Sequence, residues 1–206
     1  MVKRISLLLL TLLVCVASFS AGEHSNSQAR QVFEKAYQQV FGPKGCSLHY
    51  DVNLVGVYKT TGNICYKSKK SRFTDEKVDS WCDGVTAYIV YRKKKIVEIH
   101  DANSDKRDKY ASKFKFSLDD FDYSMEQTAE GVLLTLKQHR DAKGTVKHAK
   151  ALLDEKTLAP IWLKIKVAFF WANISITNFK VGGLNDNVFV FPRANYGKDY
   201  KFVDKR

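Results

Sequence analysis

Five histidines, a compact run of aspartates, three cysteines beyond residue 20 and several lysine clusters are the groups in this chain that could do chemistry. His24, His49, His100, His139 and His148 are scattered, and none falls into an HExxH, HxH or Cys-His spacing, so no metal site is expected. His100-Asp101 has the composition of an acid–base pair, but adjacent strand residues point to opposite faces. Asp119, Asp120 and Asp122 carry enough carboxylate for a glycosidase pair. That chemistry needs a fixed separation across a pocket, which a local cluster in a polar turn does not supply. No serine stands in a GxSxG elbow, and there is no glycine-rich phosphate loop. The expectation is a protein that is not an enzyme and uses no metal or cofactor.

Cys46, Cys65 and Cys82 are spaced by 19 and 17 residues, which matches no zinc pattern. Three thiols leave at least one free or shared between chains, with one bridge and no bridge equally open. The basic groups are more suggestive. Lys67, Lys69, Lys70 and Arg72 cluster, Arg92-Lys93-Lys94-Lys95 form a run, and Lys164 and Lys166 share one face of a strand. The formal net charge is +12 over 206 residues, so an anionic surface or polymer is a natural partner. Lipid headgroups, an anionic polymer and plain solvent would all satisfy these charges. A nucleic-acid reading would recruit Tyr66, Phe73 and Tyr91 for stacking, but those aromatics follow core-like alternation, and no nucleic-acid partner is expected.

The elements that must position these groups begin after a leader. Lys3 and Arg4 precede an apolar run over residues 5–19, with Ser18 and Ser20 as small residues before a cut. Residues 1–20 therefore read as a cleaved secretory signal peptide, and residues 21–206 as a single exported domain. Over 26–41, Ala29, Val32, Phe33, Ala36, Tyr37, Val40 and Phe41 recur at helical spacing, and Gly42-Pro43 ends the helix. From Cys46 the period changes to two: Leu48, Tyr50, Val52 and Leu54 alternate with polar residues. A turn is expected at Thr60-Thr61-Gly62-Asn63, a second strand at Ile64 and Tyr66, and a reversal at Ser68-Lys69-Lys70-Ser71. Strands follow over 72–76, 78–82, 85–91 and 95–100, with Asp83-Gly84 as a hairpin signal. Residues 103–113 read as a polar break with a short helix, and 121–125 fit either helix or strand. Further strands are expected over 131–139, 145–154, 158–167, 172–181 and 188–191. About nine or ten strands and two helices make a large antiparallel sheet, which curls or closes as strand twist accumulates. The helix over 26–41 would cover one face or mouth, and apolar residues beneath it would either pack solid or leave a cavity.

Several segments, in order along the chain, resemble the LolA-like periplasmic outer-membrane lipoprotein carriers, in particular their divergent Bacteroidetes-type branch. Gly62-Asn63-Ile64-Cys65-Tyr66-Lys67 resembles the family's Gly-x-hydrophobic-x-hydrophobic-Lys strand. Trp81-Cys82-Asp83-Gly84-Val85-Thr86-Ala87-Tyr88-Ile89-Val90-Tyr91 resembles its Asp-Gly hairpin, with Val85 in place of the usual Lys. Asn187-Val188-Phe189-Val190-Phe191 resembles the last Phe-x-Phe strand, and the run from Tyr196 to Arg206 resembles the family's ending. The resemblance implies an α+β, mainly antiparallel fold: a strongly curved, incompletely closed β-barrel with helices covering the mouth. It implies a periplasmic carrier that shields lipoprotein acyl chains in an apolar cavity. Cargo would come from an inner-membrane ABC-type lipoprotein release complex and pass to an outer-membrane acceptor, with the carrier acting as a monomer. Phe33, Tyr37, Val40, Leu48, Tyr50, Val52, Leu54, Ile64 and Tyr66 are the expected cavity residues. The best-known carriers have an Arg latch after the Lys of the Gly-strand. Ser68 stands there instead, leaving Lys67, Lys69, Lys70 and Arg72 for a latch or headgroup contact, or no latch at all. The alternative is an exported binding module for another lipid or an anionic polymer.

Overall fold

The computed structural model describes residues 21–54, 58–104, 117–142, 146–167 and 170–206. The expected leader, and most of the short helix expected over 103–113, lie outside these residues. One α-helix, α1 (Ala21–Phe41), precedes twelve strands among the described residues. They are β1 (Cys46–Leu54), β2 (Tyr58–Lys67), β3 (Lys70–Asp75), β4 (Val78–Cys82), β5 (Thr86–Tyr91) and β6 (Ile96–Asp101). The second half supplies β7 (Phe121–Thr128), β8 (Gly131–Gln138), β9 (Val146–Leu153), β10 (Pro160–Val167), β11 (Phe170–Val181) and β12 (Lys201–Asp204). All twelve form one sheet in the order β12-β6-β5-β4-β3-β2-β1-β11-β10-β9-β8-β7. Two antiparallel meanders, β1–β6 and β7–β11, meet where β1 pairs with β11.

The period-two segments become strands as expected, and α1 keeps its face of small and aromatic residues. Four expectations need correction. Thr60-Thr61-Gly62-Asn63 is not a turn, because β2 runs straight through it with Gly62 opposite Tyr50. A Cβ at Gly62 would lie 2.1 Å from the Thr74 carbonyl oxygen and 2.6 Å from the Tyr50 hydroxyl, so the glycine marks a close approach within the sheet. Residues 188–191 are not a strand either. A 3₁₀ turn, Asp186–Phe189, replaces it, and the Asn185 side chain accepts from the Asn187 amide at 2.9 Å to start it. The chain then returns as β12, which pairs parallel to β6.

The largest correction concerns closure. The sheet is neither closed into a barrel nor strongly curved, and the single long helix is not a helical lid. β7 and β12 are opposite edges, and β12 extends the sheet instead of sealing it. The cores explain why. Phe73 packs in a cluster with Leu48, Tyr50 and Ile176, whereas Trp81, which sits across from Arg72 and not Phe73, packs with Val90 and Val97. Neighbouring strand residues face opposite ways, so these two clusters lie on opposite faces of the sheet. Helix α1 covers one face, over β7–β11, β1 and β2. The C-terminal segment covers the other, over β4–β6, through Phe191, Tyr196, Tyr200 and Phe202. A barrel needs a single interior face, and this sheet buries two.

Candidate functional site

The site with a shape of its own lies between α1 and the sheet. Ala29 is fully buried and Ala36 nearly so, and their small side chains bring the helix down onto Leu134, Leu136, Ala151 and Leu153. Polar groups fasten its N-terminal half to β7: the Tyr123 amide donates to the Asn26 side chain at 3.0 Å. Arg30 donates to Glu34 at 3.0 Å and to Asp119 at 2.6 Å, and lies 5.9 Å from the centre of the Tyr123 ring. Phe33 packs on the same ring with centroids 5.4 Å apart. Burial pushes the Tyr123 hydroxyl up to about 12, so it stays a neutral group, donating to the Leu118 carbonyl.

The C-terminal end of α1 is held by rings instead. Tyr37 meets Phe41 at 4.7 Å and Phe41 meets Tyr66 of β2 at 4.9 Å. The Cys46 thiol donates to the Val40 carbonyl at 3.4 Å, and burial raises its pKa to about 11. Cys46, Cys65 and Cys82 are not joined in disulfides among the described residues.

Of the nine residues expected to line a cavity, Val40, Leu48, Tyr50, Val52, Ile64 and Tyr66 converge in one apolar cluster. Phe33 belongs to the neighbouring cluster, and the Tyr37 ring lies tilted between those of Phe33 and Phe41. The Leu54 side chain lies outside the described residues. Leu48 and Tyr50 are buried, whereas Val40, Val52, Ile64 and Tyr66 remain half-buried although the helix lies over this face. Phe73, Leu163, Ile174 and Phe179 join them and were missed by the sequence reading. Alternation in β10 and β11 was visible, but nothing local says that those strands sit beside β1. A groove of about 730 Å³ runs along the flank of α1, lined by Gln31, Glu34, Lys35, Tyr37, Gln38 and Leu118.

The four basic residues weighed as a latch do not form one site. Lys67 and Lys70 donate to the two oxygens of Asp186, at 2.6 and 2.7 Å. Those bonds hold the Asp186 carboxyl at about 2. This clamp ties β2 and β3 to the C-terminal segment, away from α1. Lys69 is exposed at the β2–β3 turn. Arg72 lies on the face opposite Phe73, 3.7 Å over the Trp81 ring, and donates to Asp79 at 3.1 Å. Asp79 also accepts from Arg92 and Thr74.

The other chemistry-bearing groups pair locally. His100, 1% exposed, contacts Glu98 at 3.1 Å, and Lys205 of the C-terminal tail donates to the same carboxylate. His139 contacts Asp122, also at 3.1 Å. Among the described residues no group of three or more His, Cys, Asp or Glu is placed to hold a metal.

No protein-family model matches this chain, and no curated protein does. Its fold is similar to that of an uncharacterized conserved protein from Thermus thermophilus, with a TM-score of 0.60 at 9% identity over 86% of this chain and 99% of that one. A putative outer membrane lipoprotein-sorting protein domain from Vibrio parahaemolyticus aligns with a TM-score of 0.43 at 8% identity, over 80% of this chain and 97% of that one. A LolA superfamily protein from Nitrosomonas europaea aligns at 0.41 and 9% identity, over 80% and 98%. At these identities the likeness to the first is one of fold.

Proposed function

We propose that this chain is an exported, non-enzymatic binding protein that holds the acyl chains of a lipid or lipoprotein between α1 and the sheet. One observation carries the reading: Val52, Ile64, Tyr66 and Phe73 form a contiguous half-buried apolar surface on the sheet, and Val40 of α1 packs against the same cluster. A hydrocarbon chain laid on it gains about 0.8 kcal/mol for each CH₂ removed from water. The two ends of α1 are held differently, and that suits reversible loading. The ring contacts at Phe41 and Tyr66 are replaceable by an acyl chain at little loss, because both are apolar packing. The Asn26 and Arg30 bonds fix the other end of the helix beside β7.

In the carrier form of this reading, cargo is received in the periplasm from an inner-membrane ABC-type release complex and surrendered to an outer-membrane acceptor of higher affinity. No bond is made or broken. Protein purified after export is expected to yield acyl-chain compounds on solvent extraction and mass spectrometry. Once delipidated, it should bind a fluorescent fatty acid at one saturable site, and Val52→Lys should weaken that binding at least about tenfold by burying a charge. An empty extract together with non-saturable binding would overturn the reading.

A further inference from the structure

The face of the sheet turned away from α1 carries a second feature. Leu163 and Ile165 of β10 pack toward the helix, so Trp162, Lys164 and Lys166 point the other way. Register places Lys164 beside Lys150 of β9, and Lys166 beside His148, which in turn lies beside Lys137 of β8. Five basic groups thus occupy two adjacent rows across three strands, with like charges directly opposite, an arrangement that costs stability. On this face β8–β11 present no carboxylate; those that flank it are Asp122 of β7, directly opposite Lys137 and in contact with His139, Glu126 of β7 and Asp51 of β1. None of the four lysines makes an ion pair among the described residues. Two tryptophans frame the rows. The Lys164 ammonium lies 4.9 Å from the Trp162 ring and the Lys166 ammonium 6.0 Å from Trp171, whose ring is 5.4 Å from His148. Burial and the charges of Lys150, Lys166 and Lys137 hold the His148 imidazole below its ordinary value, as a concentrated positive potential requires.

We propose that this lysine- and tryptophan-bearing face of β8–β11 docks the protein on an anionic lipid bilayer. Unpaired lysines crowded together at a cost to the fold need an outside counter-charge, and a bilayer rich in anionic headgroups supplies one over a broad area. The tryptophans select the bilayer over a soluble polymer. Both rings are half-buried with an ammonium over them, which spoils them as stacking platforms for bases. An amphipathic ring at the level of the headgroups is the usual position of Trp at a membrane surface. The patch lies on the face away from α1, so docking leaves the α1 face of the sheet accessible. The inference does not rest on what α1 covers.

The test uses the chain purified after export, in co-sedimentation with phosphatidylcholine vesicles with and without about one-third phosphatidylglycerol. Binding is expected only to the anionic vesicles, with a blue-shift of Trp fluorescence, and should fall at least about tenfold on raising salt from about 50 to 500 mM. The double variant Lys164→Glu/Lys166→Glu should lose at least about tenfold in binding. Lys93→Glu/Lys198→Glu, which makes the same change in net charge at exposed sites elsewhere, should change it less than about twofold. Circular dichroism of both variants checks the fold. Equal losses in the two variants would reduce the effect to net charge and overturn the proposal. Equal binding to neutral vesicles would also overturn it, as would capture of heparin without any capture of vesicles.

Discussion

Asp79 shows how a single carboxylate organises the half of the sheet that α1 does not cover. It is only 8% exposed, yet it accepts from Thr74, Arg92 and Arg72 together. Burial alone would raise its pKa; the Thr74 hydroxyl and the two guanidinium groups outweigh burial and hold it below 3.8. A carboxylate with a depressed folded value stabilises the fold fully above its unfolded pKa, and that stability disappears as pH falls through the folded value. Urea midpoints should therefore hold steady above about pH 5 and decline below about pH 4. Asp79→Ala leaves Arg72 and Arg92 partly buried without their shared partner, and should cost about 3 kcal/mol at pH 7 in the same measurement. Asp79→Ala should also flatten the acid limb. None of this was legible locally: Asp79 reads as an ordinary polar position in a strand, and Arg92 comes to it through the pairing of β4 with β5.

Among the elements, the C-terminal segment contributes most beyond what its composition suggests. Phe191 stacks on Tyr88 at 4.3 Å and on Tyr196 at 5.1 Å, and meets Trp81 edge-on at 5.4 Å. The Lys67–Asp186–Lys70 clamp and the parallel pairing of β12 with β6 bracket this aromatic cluster. Phe191→Ala should destabilise the protein by about 2–3 kcal/mol, below the range for a fully buried Phe because Phe191 keeps some exposure. In hydrogen exchange the loss should appear in β5, β6 and β12, while β8–β10 under α1 stay protected. Uniform loss of protection would mean that the two cores do not act separately. Helix α1 itself was readable from its periodicity and its Gly42-Pro43 stop. The C-terminal strand was not, because four residues pairing parallel to a distant partner leave no periodic trace.

At the scale of the whole molecule, the pairing of β1 with β11 brings residues 46–54 beside residues 170–181, and this seam joins the two meanders. Contacts so distant in sequence form late, because chain entropy is lost before they repay it. Refolding followed by Trp fluorescence should therefore take milliseconds to seconds, and a sub-millisecond phase carrying the full amplitude would contradict the seam's role. The amino-acid sequence by itself determined α1, most of the strands, the hairpin at Asp83-Gly84 and the absence of recognisable catalytic or metal motifs, because each is written in residues close along the chain. It also held six of the residues that meet in the cluster joining α1 to β1 and β2, since one alternating strand, its neighbour and one helix face supply them. Only the tertiary structure decided that β2 passes through Gly62, that the sheet stays open, and that the helix and the C-terminal segment pack on opposite faces of it. The reason is physical: an alternating strand records that one side is apolar, but not which neighbour it pairs with or what covers that side. Those choices belong to register and packing between segments more than a hundred residues apart.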